Sequence, residues 1–286
     1  MTAALSPIYS ATTGSWPYAR VTAARTRSPP PPHPWQNSGM DTAELINALD
    51  REGRLLADAA GAAGPGTPVP TCPDWRVRDL LRHTGTVHRW ATAYITEGHT
   101  AFHPSGEEPD LDGDELLDWF REGHRALVDA LSGAPKDLEC WQFMPAPSPL
   151  AFWARRQAHE TAIHRVDAES ARGGEPTAPE PEFAVDGIDE LLRAFHGREK
   201  SRVRTSTPRT LRVRATDTDA VWTVHLSDGT PRTVRDDDGP ADCELSGSAH
   251  ELYLTLWNRR PLSSVTLAGD ASLAALWREN SAITWG

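Results

Sequence analysis

Residues 155–169 read RRQAHETAIHRVDAE, and the fold turns on which of these polar side chains share a helical face. His159-Glu160 followed by His164 has the look of the HExxH zinc-protease signature, but that signature needs two histidines at i and i+4. His159 and His164 are five residues apart, which is about 140° around a helix axis. The pair on one face is Glu160 and His164, with Asp167 one turn further along. A metal reading therefore uses Glu160 and His164 and takes its third ligand from another helix. That in turn requires a bundle whose helices point side chains at one another. His159, on the flanking face, is expected to contribute packing at most.

Working outward, the helical period is found on both sides of this stretch. Asp41 and Glu44 stand in capping-box spacing ahead of Leu45, Ile46, Leu49, Leu55 and Leu56. Asp74 is the expected N-cap of a second helix, DWRVRDLLRHTGTVHRWATAYI, in which Val77, Leu80, Leu81, Val87, Ala91 and Ile95 form the buried stripe and His83 lies at its edge. A third helix is predicted over 114–131, where Phe120, His124, Leu127 and Leu131 recur at a period near 3.6. The fourth runs from about 150 to 171 and carries the quoted stretch. A fifth, FAVDGIDELLRAF at 183–195, follows a Pro-rich loop. Four or five helices joined by loops of moderate length predict a bundle over residues 40–200.

Past residue 205 the period switches to 2, in TLRVRAT, AVWTVHL and TVR, each bounded by Asp, Gly or Pro. CELSG at 243–247 adds a strand, Ser248 and Glu251 form a capping box, SVTLAGD reads as a last strand, and Asp270 caps a last helix. Residues 201–286 are thus predicted to form a smaller α+β domain, giving a fold class of α plus α+β. Residues 1–39 hold no Asp or Glu and include PPPPHP at 29–34. They are expected to be a disordered N-terminal extension, either a tail or an over-extended translation start before Met40. They lack the apolar h-region of a secretory signal.

Composition excludes some partners. A formal net charge of −11 argues against nonspecific nucleic-acid binding, which needs a basic footprint to displace counterions. No apolar run approaches the about 18 residues of a membrane span. Cys72, Cys140 and Cys243 lack CxxC spacing and fit a reducing cytoplasm better than a disulfide framework.

For the third ligand, His83 on the second helix joins Glu160 and His164 to give two imidazoles and a carboxylate, a donor set that suits zinc with an open fourth position. His88, His124 and His159 have similar claims on periodicity. Asp167 is placed to orient an imidazole N–H.

The stretch VPTCPDWRVRDLLRHTGTVHRW at 69–90, followed after residues 91–152 by WARRQAHETAIHRVDAE, closely resembles the mycothiol-dependent maleylpyruvate isomerase family, within the DinB-like helical bundles. ELYLTLWNRRP and VTLAGDASLAALW look like that family's C-terminal, sterol-carrier-like α+β domain, so the resemblance runs from Met40 to the end. It implies a DinB-like four-helix bundle in which Zn2+, or another divalent metal, is held by His83, Glu160 and His164. It further implies a catalytic arginine at Arg259, with Arg260 the neighbouring register, and mycothiol as thiol cosubstrate. The implied partners are that thiol and a small-molecule substrate, with no nucleic acid and no membrane. The implied reaction is cis–trans isomerisation of a maleylpyruvate-like substrate or thiol transfer to an electrophile. The alternative is a non-catalytic, metal-containing binding or regulatory protein.

Overall fold

Four long helices come first in the computed structural model, which describes residues 39–237 and 239–283. They are α1 (Thr42–Ala63), α2 (Val77–Glu97), α3 (Gly113–Gly133) and α4 (Pro149–Arg172). The expected N-terminal extension lies outside the described residues, except for Gly39. Asp41 opens α1 as its spacing predicts: its side chain accepts from the Glu44 N–H at 2.9 Å and the Glu44 carboxylate accepts from the Asp41 N–H at 2.7 Å. The start of α2 differs from the expected Asp74 cap. The Val69 N–H donates to Trp75 O at 2.9 Å and the Trp75 N–H to Cys72 O at 2.8 Å. Residues 69–75 are thereby committed to a turn, and the helix begins only where Asp79 accepts from the Arg76 N–H at 2.8 Å.

Ser148 caps α4, with Pro149 at the first helical position. This helix packs against α1, α2 and α3 and is buried on every side from Phe152 to Glu169, apart from Arg155. Between Arg156 and Glu169 its charged residues are inside along with Ala158 and Val166, and each is paired. Arg165 donates to Glu52 of α1 at 2.8 Å and to Glu169 at 2.6 Å. Arg155 donates to Asp186 at 2.8 Å. Such charges are tolerated in an interior only when partnered, because an unpaired one loses its hydration with nothing in return.

The chain continues through α5 (Pro181–Asp189) and a π-helical turn, Glu190–Phe195. α5 packs on a helix from the far end of the chain, α6 (Ala249–Leu256). Five strands, β1 (Arg209–Ala215), β2 (Val221–Leu226), β3 (Arg232–Arg235), β4 (Cys243–Gly247) and β5 (Thr266–Gly269), form one sheet in the order β3-β2-β1-β4-β5. The pairing is antiparallel except between β1 and β4. Ser248 and Asp270 cap α6 and α7 (Ala271–Asn280) as expected. The α+β part is tied to the α5 segment by the Trp222 indole donating to Asp189 at 3.2 Å and by the Thr233 hydroxyl donating to Leu192 O at 3.1 Å.

After α6, Asn258 takes a positive φ of 61°, a left-handed conformation that Asn adopts more readily than most residues. The chain folds back there, the Arg259 N–H donating to Leu254 O at 2.8 Å, and Arg259 is turned toward α4.

His196, buried just past the π-helical turn, is a source of pH dependence. Burial, reinforced by Arg198, Arg202 and Arg204, pulls its pKa down to about 4. The folded value lies below the unfolded one, about 6.5, so between these values the native state binds fewer protons. Stability is therefore full above about pH 6.5 and falls by about 3 kcal/mol from this group as pH drops toward 4. Urea unfolding at pH 7, 5.5 and 4.5 should show that His196→Gln loses less stability on acidification than the parent. Equal losses would contradict the assignment.

Candidate metal centre

α2 contributes His83 and α4 contributes Glu160 and His164. Glu160 Oε1 lies 3.6 Å from His83 Nε2 and 3.3 Å from His164 Nε2, and one ligand atom from each of the three residues falls within 4.8 Å of the other two. Ligands at about 2.0–2.1 Å on a tetrahedral zinc stand about 3.3 Å from one another, so this set fits such an ion. No other group of His, Cys, Asp or Glu among the described residues is gathered in this way.

The surroundings orient the three candidate ligands. His164 Nδ1 is 2.9 Å from Asp167 Oδ2, which fixes the ring and leaves Nε2 facing Glu160. Arg156 donates to Glu160 Oε2 at 3.0 Å, so Oε1 is the oxygen left for the histidine side. Trp75 covers both imidazoles, its ring centroid 5.0 Å from that of His83 and 5.9 Å from that of His164. Burial alone would lower the His164 pKa, but hydrogen bonds to Asp167 and Glu160 override it and push the value up to about 9. Burial would likewise raise Glu160, yet His164, His83 and Arg156 hold it well below the usual carboxylate range. The field that keeps a proton on His164 equally favours a divalent cation in front of it.

Arg259 reaches the same place. Its Nε and Nη2 donate to Asp167 Oδ1 and Oδ2, both at 2.9 Å, and Nη1 donates to Trp257 O at 3.0 Å. Asp167 also accepts from the Thr71 hydroxyl at 2.6 Å. The guanidinium fork is thus filled by Asp167, and a bidentate grip on a substrate carboxylate would require breaking that pair. Cys72 Sγ lies 3.8 Å from Arg259 Nη2, and its pKa is pushed up to about 12 by burial and Asp167, with Arg259 pulling part of the way back. It stays a thiol at neutral pH. These residues enclose a cavity of about 480 Å³, with Cys72, Trp75, Trp257 and Arg259 in its walls beside the three ligands. A larger hollow of about 880 Å³ between α1 and α3 holds none of the ligands.

The competing histidines are accounted for elsewhere. His88 Nε2 is 2.8 Å from the Thr161 hydroxyl oxygen and His124 Nε2 is 3.3 Å from Asp50 O. His159 is fully buried, with Asp186 at 2.8 Å and the Tyr253 hydroxyl at 3.2 Å. Its role exceeds the packing expected of a flanking residue, because its ring helps partner the buried carboxylate of Asp186. Arg260 turns outward to pair with Glu175 and does not line the cavity. Sequence reasoning passed over Thr71, Cys72 and Trp75. The one signal available was their place in the TCPDW turn immediately before the His83 helix.

Residues 46–169 match the family model described as the mycothiol maleylpyruvate isomerase N-terminal domain, and residues 182–276 match that of the MDMPI C-terminal domain. Two solved structures share the fold, a mycothiol-dependent maleylpyruvate isomerase and a histidine-to-alanine mutant of it. Each is 13% identical, with a TM-score of 0.56, and the match covers 80% of this chain and 93% of that one. No curated protein matches.

Proposed function

We propose a function from the premise that the chain belongs to the mycothiol-dependent maleylpyruvate isomerase family: it is an enzyme that presents a low-molecular-weight thiol, mycothiol, to a small electrophilic substrate at a zinc ion. The observation that supports this most is the convergence of His83, Glu160 and His164 on one cavity, with Asp167 behind His164. Zinc held by His83, Glu160 and His164 would supply the Lewis acidity that lowers a thiol's pKa to neutral pH or below.

The chain's own residues set up this chemistry. Asp167 holds the His164 ring in the tautomer that leaves Nε2 free to ligate, and Arg259 and Thr71 keep Asp167 ionised and in place. Arg259, expected as the catalytic arginine, acts in this reading by positioning Asp167 from the cavity wall. Trp75 and Trp257 exclude water from the thiol, and Arg156 fixes the carboxylate of Glu160. Addition of the thiol sulfur to a cis double bond conjugated to a carbonyl leaves a single bond free to rotate. Elimination of the sulfur then returns the thiol and the trans alkene, as for a maleylpyruvate-like substrate. Attack on an electrophile without elimination leaves a thioether, the outcome of a thiol transfer. Free Cys72, Cys140 and Cys243 accord with a cytoplasmic setting for such thiol chemistry.

Elemental analysis with calorimetric titration of mycothiol tests the proposal. About one zinc per chain and thiol binding that is lost on metal removal are expected. A zinc-loaded protein that binds no thiol would instead be a metal-containing binding protein.

A further inference from the structure

The chain as a whole is acidic, with a formal net charge of −11, yet four of the seven residues from 198 to 204 are cations: Arg198, Lys200, Arg202 and Arg204. They lie on the segment that leads from the π-helical turn to β1. Arg198, Lys200 and Arg202 line a small hollow of about 70 Å³, together with His196 and with Asn280, Ala282 and Ile283 at the end of α7 and beyond. No Asp or Glu lines it.

Buried guanidiniums elsewhere in the molecule have carboxylates, as Arg156, Arg165 and Arg259 do. Arg198 is half-buried, and neither it nor Lys200 or Arg204 forms an ion pair with a carboxylate of the described residues. The Arg198 Nε–H donates to Phe195 O at 3.4 Å, and its guanidinium shares the Phe195 ring with that of Arg156, at 5.1 and 4.9 Å from the centroid. Burial, and after it the like charge of Arg156, pull the Arg198 pKa below the ordinary arginine range. Burial and the field of Arg198, Arg202 and Arg204 likewise hold His196, in the same wall, at about 4. Positive charge is thus gathered here with nothing of opposite sign in the wall, an arrangement that disfavours the fold unless an anion joins it.

We propose that this hollow binds a phosphate group, held by Arg198, Lys200 and Arg202. Guanidiniums match phosphate oxygens in pairs and lysine adds a point charge, while three cations suit a dianion better than a single carboxylate. The volume is roughly twice the ~30 Å³ that a water takes up in the liquid, so it admits one small tetrahedral anion. The organic part of a phosphate ester would have to remain outside. The assignment is independent of the thiol reading above. It bears on the candidate metal centre by position, because Ala282 and Ile283 also line the 480 Å³ cavity and Arg202 Nη2 donates to Ala282 O at 2.9 Å. The phosphate site and that cavity therefore share one stretch of chain as a wall.

The test is calorimetric titration of inorganic phosphate into the full chain at pH 7 and constant ionic strength, repeated with phenyl phosphate and with acetate. Phosphate should bind one to one and more tightly than acetate, and Arg198→Met and Lys200→Met should each weaken it about tenfold or more. Lys200 is exposed and keeps the test decisive should Arg198→Met fail to fold. Phosphate should also raise the titration midpoint of the His196 ring, followed by NMR, by about one pH unit or more, because a neighbouring anion favours the charged imidazole. In thermal unfolding without phosphate, Arg198→Met should melt no lower than the parent, and added phosphate should raise the melting temperature of the parent alone. Phenyl phosphate binding as tightly as phosphate assigns the site to the phosphate group of a larger ligand, and its rejection assigns it to the free ion. Phosphate binding no tighter than acetate would overturn the proposal. So would binding that neither variant weakens, since that anion would sit elsewhere, the metal included.

Discussion

His164→Ala is expected to lose metal binding and turnover together while keeping its helical circular dichroism spectrum. The fold survives because the two carboxylates left behind keep other partners. Asp167 retains Arg259 and Thr71, and Glu160 retains Arg156 and His83. The metal does not, since one of three ligands is gone. Losing even an outer partner of a ligand weakens metal binding about 10–100-fold, so removal of a ligand should exceed about 100-fold. Turnover follows, because a thiol of pKa near 8.5 is mostly protonated at neutral pH without the metal. His159→Gln is the comparison: buried against Asp186 on the other side of α4, it should lose stability yet keep one zinc per chain. A folded His164→Ala that retains stoichiometric zinc, or a folded His159→Gln that lacks it, would show the ligand set to be wrong.

Asp167→Leu should be the most destabilising single change at the site. It leaves the largely buried guanidinium of Arg259 without its carboxylate, and breaking a buried pair from one side costs about 3–5 kcal/mol. It also frees the His164 ring, which should weaken zinc by about 10–100-fold. The two effects separate in the double variant Asp167→Leu, Arg259→Met. Replacing both members of the pair by apolar groups should recover most of the stability, because no charge is then stranded, while zinc affinity stays low. Urea unfolding and competition with a chelator read the two quantities. Recovery of both together would mean that Asp167 matters to the fold alone.

The face argument on residues 155–169 separated Glu160 and His164 from His159 because helical geometry is local, needing only the spacing of three residues on one helix. His83 was one of several histidines with equal claims on period, and the family resemblance distinguished it. The burial of α4 was not legible. Its arginines and carboxylates look like a solvated face, and the partners that bury them, Glu52 and Asp186, lie 113 and 31 residues away in sequence. Pairing across such separations leaves no periodic trace. The same reason hid Arg259's occupation by Asp167: a fork-shaped side chain near a site reads as a clamp until its carboxylate is seen. Loop residues escaped as well, since Cys72 and Trp75 enter the cavity from a turn where neither period 2 nor 3.6 applies.

The turn at Asn258 also bears on the order of events during synthesis. It delivers Arg259 to an aspartate made 92 residues earlier, so α1 to α4 leave the ribosome with all three ligands but without the guanidinium that holds Asp167 in place. At about 5–20 residues per second that interval lasts roughly 5–20 s. On the proposed metal reading, a nascent or truncated chain is expected to hold metal more loosely during this time, so that firm metal capture would await the making and docking of the C-terminal part.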